Sequence, residues 1–341
     1  MKKSSKKKKT HKLFLIMTVL IVLLFAFLAG ILFWKLLDRR KAPQLPMSYI
    51  SDAFLSTEQG RSAIYKTDRS FTSDLCIGED TISLSGISVS EGESAALFSL
   101  DDRRVIYSKN MYERVYPASI TKIMTALLVL KNGRLDDIVT ISEEDLALEE
   151  GSQVVGLAAG DQLSVNELMR GLIVHSGNDA AMALARYVSG STEAFVSLMN
   201  ETLVELGATG SHFVNPSGLH DENHYTTVYD IYLMLNEALK NQEFVRLINL
   251  PVYSLTVTHA DGSKDTFNLT STDRYLAGSK SIPKDVTILG GKTGTTSRAG
   301  HCLALASQNA FGQKYISIIV GARGADTLYA DMDLLLSQIN E

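Results

Sequence analysis

Hydrophobic and polar positions follow three successive regimes along the chain. Residues 13–34 are an uncharged apolar run of 22 positions. As a helix this run would extend roughly 33 Å, enough to cross the hydrocarbon core of a bilayer. From Ser94 the pattern shortens to Ala95-Ala96-Leu97-Phe98-Ser99-Leu100, a charged Asp101-Asp102-Arg103-Arg104, then Val105-Ile106-Tyr107, which reads as strand, turn, strand. Beyond Pro117, Ile120, Ile123, Met124, Leu127, Leu128 and Leu130 recur at helical spacing, predicting a helix with Ser119 in its first turn.

Helical spacing dominates up to about residue 240. It predicts helices over 165–172, 180–188, 192–206 and 228–239, the last entered through Thr226-Thr227 with Asp230 placed for a capping box. After Pro251 the period returns to two. Strands are predicted over 252–258 and 266–269 around the turn Ala260-Asp261-Gly262-Ser263. Stretches 289–293, 299–307 and 314–320 continue the sheet, and 326–339 closes the chain with a helix. The expected fold class is α+β: an antiparallel sheet flanked by helices, interrupted by an inserted all-helical region and preceded by one transmembrane helix.

The ends differ sharply in charge. Residues 1–12 hold seven lysines and no acid, against Lys35, Arg39, Arg40 and Lys41 after the apolar run. That bias predicts a cytoplasmic basic tail (1–12), an uncleaved signal anchor (13–34) and everything downstream outside the cell. The apolar run exceeds a signal-peptide core, and no small-x-small cleavage pattern follows Trp34. Residues 35–90 read as a stalk or amino-terminal wrap and 91–341 as the catalytic domain. Beyond residue 41 the chain carries 22 bases and 37 acids, a balance that gives no support to nucleic-acid binding.

Two cysteines, Cys76 and Cys302, are too few for a disulfide framework. Cys302 sits in an apolar stretch and reads as a small buried hydrophobe, with a bridge to Cys76 left open.

Three constellations could carry chemistry. Ser119 and Lys122 lie three apart, which on a helix puts hydroxyl and amine on one face. Serine needs an adjacent base, and a lysine serves if burial and nearby positive charge lower its pKa. Ser176-Gly177-Asn178 joins two helical segments; its hydroxyl can relay a proton and its amide can hold a carbonyl. Lys292-Thr293-Gly294-Thr295 lies on a strand, where Gly294 lets a ligand approach the backbone. Each motif alone also fits a cap, a surface lysine or a glycine-rich turn. A phosphate loop is disfavoured because a strand, not a helix, follows the glycines.

In the order S-x-x-K, S-x-N, K-T-G, the chain resembles the low-molecular-mass D-alanyl-D-alanine carboxypeptidases, serine peptidases of family S11 with a β-lactamase/DD-peptidase-like fold. The resemblance rests on Tyr116 to Thr125, Gly171 to Ala180, Phe213 to His220 and Gly291 to Thr296, and spans about residues 90 to 340. It implies an acyl-enzyme on Ser119, Lys122 as base, Ser176 as proton relay, and Asn178, Lys292, Thr293, Gly294 and Thr295 binding substrate. It also implies amides of Ser119 and Thr295 as oxyanion hole, and Arg323 as a loose candidate for the substrate carboxylate. The implied partners are peptidoglycan stem peptides ending in D-Ala-D-Ala, β-lactams and the cell membrane; no cofactor is expected.

Rival readings on the same scaffold are a DD-transpeptidase, a β-lactamase and a non-catalytic sensor of penicillin or cell-wall peptide. Glu143, Glu144, Glu149 and Glu150 lie in the region a lactamase would draw on, without an E-x-x-L-N pattern. His220 and His224 fall in a polar loop rather than on one helix face, which disfavours zinc.

Overall fold

The computed structural model describes residues 74–340, so the basic tail, the apolar run and residues 35–73 lie outside the described residues. Among the described residues no helix is long and apolar enough to cross a membrane.

Five antiparallel strands form the main sheet in the order β2-β1-β9-β8-β7. They are β1 (Ser94–Ser99), β2 (Arg104–Lys109), β7 (Val286–Thr296), β8 (Gly300–Asn309) and β9 (Lys314–Ala322). A second, four-stranded antiparallel sheet comprises β3 (Ile138–Thr140), β4 (Gln162–Ser164), β5 (Val252–Thr258) and β6 (Lys264–Thr270). The expectation that the hairpin at 252–269 continues the main sheet is therefore corrected. Its partners β3 and β4 span three residues each, too short to write a period-2 signature of their own.

Helices α1 (Lys122–Asn132), α2 (Val165–Ile173), α3 (Asn178–Ser189), α4 (Thr192–Glu205), α5 (Val228–Ala238) and α6 (Gln242–Ile248) form the helical region, and α7 (Ala325–Ser337) follows the sheet. Serine and threonine side chains start several of them. Ser164, Ser191 and Thr227 each accept from a first-turn amide, satisfying a donor the helix itself leaves open. Asp230 supplies that amide to Thr227, but its carboxylate turns to Ser211 at 2.6 Å, so only half of the expected capping box forms.

β1 is buried on both faces, which is why it reads as a continuous apolar run. Alternation splits it: Ala96 and Phe98 join the helical core with Ile316 and Ile318, while Ala95 and Leu97 face the α7 side with Leu328, Met332 and Leu335. The sheet is thus the middle of three layers. Residues 74–90 lie against it, with Ile82 bridging Ser108 of β2 and the Cys76 amide donating to the Tyr232 hydroxyl at 2.8 Å. Cys76 and Cys302 are both buried and free, so they do not pair.

Candidate active site

Ser119 stands on a single 3-10 turn, Ala118–Thr121, that leads directly into α1. It therefore sits just ahead of the α-helix rather than in its first turn. Pro117 caps the turn and Ala118 takes a left-handed φ of 48°, which costs a non-glycine residue of the order of 1 kcal/mol or more. The surroundings hold it there. The Ala118 carbonyl accepts from the Thr121 hydroxyl at 2.8 Å, and Gly218 packs so tightly against it that an added Cβ would sit 1.8 Å from that oxygen. Gly218 has φ 86° and closes the turn begun by Asn215, whose side-chain oxygen accepts from the Gly218 amide at 2.7 Å.

Lys122 is fully buried and has three oxygen partners. Its Nζ lies 2.9 Å from Ser119 Oγ, 2.7 Å from Asn178 Oδ1 and 2.7 Å from the carbonyl of Ser217. Both carbonyls can only accept. A neutral amine has two N–H groups and one lone pair, so spending both N–H groups on the carbonyls leaves the lone pair for the serine hydroxyl. Burial pushes the Lys122 pKa well below the ordinary lysine value, and the charge of Lys292 pushes it further, against a smaller pull from Asp179.

Asn178 opens α3 and is fixed from behind. Its amide donates to the Gln153 carbonyl at 2.8 Å, while the neighbouring buried Asp179 carboxylate accepts the amides of Val155, Gly156 and Leu157 at 2.9, 2.9 and 3.2 Å. A carboxylate in the first turn of a helix is favoured there by the open amides and the dipole. Ser176, in a left-handed conformation with φ 64°, points its hydroxyl to Lys292 Nζ at 2.9 Å.

On the opposite wall, β7 presents Lys292, buried, with Thr293 on the alternate side. Lys292 also donates to the Thr293 carbonyl at 3.0 Å. Burial lowers its pKa to about 7, against the pull of Asp273. Gly294 lets this strand reach the turn that bears Ser119, since a Cβ there would lie 3.0 Å from the Ser119 amide nitrogen. Between the walls lies a cleft of about 240 Å³ lined by Ser119, Ser176, Thr293, Gly294 and Thr295.

The structure thus brings Ser119, Lys122, Ser176, Asn178, Lys292, Thr293, Gly294 and Thr295 together. It does not bring Arg323, which is exposed in the bend after β9 and is absent from the cleft lining; Arg274, from the β6–β7 connection, is the guanidinium there. Arg274 is paired with Asp326 at 2.6 Å and lies over the Tyr329 ring. No carboxylate lines the cleft among the described residues. His220 packs edge-on against Tyr116, and no cluster fit for a metal occurs among the described residues.

Sequence reasoning missed the supports. His224 is buried and accepts the Val214 amide on Nδ1 at 3.1 Å, so its other nitrogen carries the proton toward Thr121 Oγ1 at 2.8 Å. Burial drives its pKa down to about 3. The chain His224 to Thr121 to the Ala118 carbonyl therefore braces the turn that carries Ser119. A histidine four residues past His220 in a polar loop gives no hint of that role.

A profile of the D-alanyl-D-alanine carboxypeptidase family, peptidase S11, matches residues 87–324. The D-alanyl-D-alanine carboxypeptidase DacF of Bacillus subtilis is 35% identical over 239 residues, 68% of this chain and 58% of that protein. DacC of Escherichia coli is 32% identical over 243 residues, 69% of this chain and 57% of that protein. The chain thus spans less than two thirds of the length of these relatives. Among solved structures, the Streptomyces K15 DD-transpeptidase superposes with a TM-score of 0.68 at 27% identity, covering 74% of this chain and 98% of that one. By its profile match and its relatives, the chain belongs to the D-alanyl-D-alanine carboxypeptidase family, peptidase S11.

Proposed function

We propose that the chain is a serine-type D-Ala-D-Ala carboxypeptidase that removes the terminal D-alanine of peptidoglycan stem peptides through an acyl-enzyme on Ser119. One observation carries the reading: the buried Lys122 Nζ lies 2.9 Å from Ser119 Oγ, with its other two neighbours carbonyl oxygens that can only accept.

Ser119 Oγ attacks the carbonyl carbon of the penultimate D-Ala while its proton passes to Lys122 Nζ. The oxyanion forms between the backbone amides of Ser119 and Thr295, each such donor being worth about 3 kcal/mol in comparable sites. The C–N bond breaks as the leaving amine takes a proton relayed through Ser176, and D-alanine departs. Water then cleaves the ester, with its proton following the same relay. Lys292, Thr293 and Arg274 receive the terminal carboxylate, so Arg274 takes the part expected of Arg323. Asn178 holds the peptide as well as orienting Lys122.

β-Lactams would acylate the same hydroxyl. The lack of a carboxylate in the described cleft lining favours a persistent penicilloyl enzyme over the lactamase reading, which needs a carboxylate to activate water.

The apolar run 13–34 and the lysines before it support a single-pass anchor with the catalytic domain outside the cell. Incubation of the protein with an N-blocked peptide ending in D-Ala-D-Ala tests the activity. Free D-alanine should appear, and no D-alaninamide should appear from the same peptide amidated at its carboxyl terminus; equal cleavage of both, or of neither, overturns the assignment.

A further inference from the structure

The β6–β7 connection carries Ser271 to Tyr275 past the cleft without helix or strand, yet every backbone amide in that segment has its own acceptor. Ser271 donates to the Pro251 carbonyl at 2.8 Å, Thr272 to the Val174 carbonyl at 3.3 Å and Asp273 to the Ser271 hydroxyl at 3.2 Å. Arg274 donates to the Tyr329 hydroxyl at 2.8 Å and Tyr275 to Asp273 Oδ1 at 3.0 Å. A connecting segment held at each amide gives its side chains fixed positions. Val174 caps α2 just ahead of Ser176, so the Thr272 backbone is tied to the helical wall of the cleft.

The Thr272 side chain meets the strand wall, where the Thr293 hydroxyl donates to Thr272 Oγ1. A hydroxyl has one proton, so Thr293 has spent its own and the pair keeps one, on Thr272. That proton has no acceptor among the described residues, and Thr272 is exposed to the cleft that it lines with Thr293 and Arg274. Accepting one hydrogen bond also polarises a hydroxyl toward donating another.

We infer that Thr272 is a further substrate-binding residue, whose hydroxyl donates to the terminal carboxylate with Thr293 behind it, and that it helps select free-acid ligands. This rests on the carboxypeptidase reading. Thr293 then acts on the carboxylate through Thr272. A hydrogen bond to an ionised oxygen is about twice as strong as one to a neutral oxygen, so this hydroxyl favours the free acid over an ester of the same ligand. No bond forms or breaks at Thr272, so its contribution lies in binding and belongs in KM rather than kcat.

The test compares the full chain with Thr272→Val, which keeps the branched shape without the hydroxyl, and with Thr272→Ser, which restores the hydroxyl. For an N-blocked peptide ending in D-Ala-D-Ala, Thr272→Val should raise KM about 10-fold with kcat within about twofold of wild type, and Thr272→Ser should recover most of the loss. Acylation by benzylpenicillin and by its methyl ester isolates the carboxylate. Wild type should favour the free acid, and Thr272→Val should lower that preference about 10-fold. If Thr272→Val does not fold, Thr272→Ala carries the same comparison. An unchanged KM, an unchanged preference for the acid, or a loss confined to kcat overturns the inference; the last is what a merely structural tie to Thr293 would give. A wild type that releases no D-alanine sinks the carboxypeptidase reading, and the preference between the two penicillins then judges the inference by itself. A wild type that reacts with neither peptide nor penicillin overturns both.

Discussion

Lys122 on the helical wall of the cleft and Lys292 on the strand wall are both fully buried, yet their surroundings push them to different tasks. Lys122 meets two carbonyls and a hydroxyl, with a like charge nearby. Lys292 meets a hydroxyl and a carbonyl, with the opposite charge of Asp273 behind it. Burial drives both pKa values down; the sign of the neighbouring charge then separates them. Burial and a like charge favour the neutral amine at Lys122, whereas Lys292, lowered to about 7, keeps a cationic share at neutral pH. Two groups of one chemical type whose environments part their pKa values have parted their roles.

Arginine substitutions break this comparison most directly, because arginine keeps the charge and cannot act as a base. Lys122→Arg should cost about 10³-fold or more in acylation rate, while Lys292→Arg should keep activity within about 10-fold of wild type. Stopped-flow acylation by a fluorescent penicillin compares them. Equal losses in the two variants would erase the distinction between the walls.

Next in size is the brace behind the helical wall. Gly218→Ala places a methyl on the Ala118 carbonyl in a left-handed backbone, and should destabilise by about 2–4 kcal/mol with slowed acylation. Denaturant melts measure the first and penicillin labelling the second; a variant as stable and as fast as wild type would show that this contact is not needed.

The strand wall yields a smaller effect. Arg274→Ala should raise KM for the free-acid peptide by about 10-fold and leave kcat nearly unchanged, whereas Arg323→Ala should change neither. Steady-state kinetics on the two variants decide which arginine reads the carboxylate.

The brace behind the helical wall also responds to acid. His224 has its pKa lowered from 6.5 to about 3, so the fold favours the neutral ring and binds fewer protons than the unfolded chain between those values. Its contribution is fully present above about pH 6.5 and is lost as pH falls toward 3, a few kcal/mol at most. Melting temperature should fall over that window, and His224→Asn should flatten the slope; an unchanged slope would place the acid sensitivity elsewhere.

The two walls also differ in how far the sequence disclosed them. Ser119, Lys122, Ser176, Asn178 and Lys292 could be read because three motifs, each weak alone, occur in one order on successive elements of the chain. Supports were silent. Asp179 bonds to a loop more than twenty residues away in sequence, and His224 reaches Thr121 across about a hundred. Neither contact leaves a local pattern. The second sheet escaped for the same reason, since β3 and β4 span three residues each and β4 meets the distant β5 through the single pair Gln162 and Thr258. Arg323 was favoured by its place after the last strand, but β9 ends with the side chain turned to solvent, and the β6–β7 connection delivers Arg274 instead.

Intact-mass analysis after exposure to benzylpenicillin, followed by peptide mapping, tests most directly whether Ser119 is the activated hydroxyl. Wild type should gain one drug mass on the peptide containing Ser119 and hold it, and Ser119→Ala should gain none. A label that maps to another residue, or that survives in Ser119→Ala, would contradict the account.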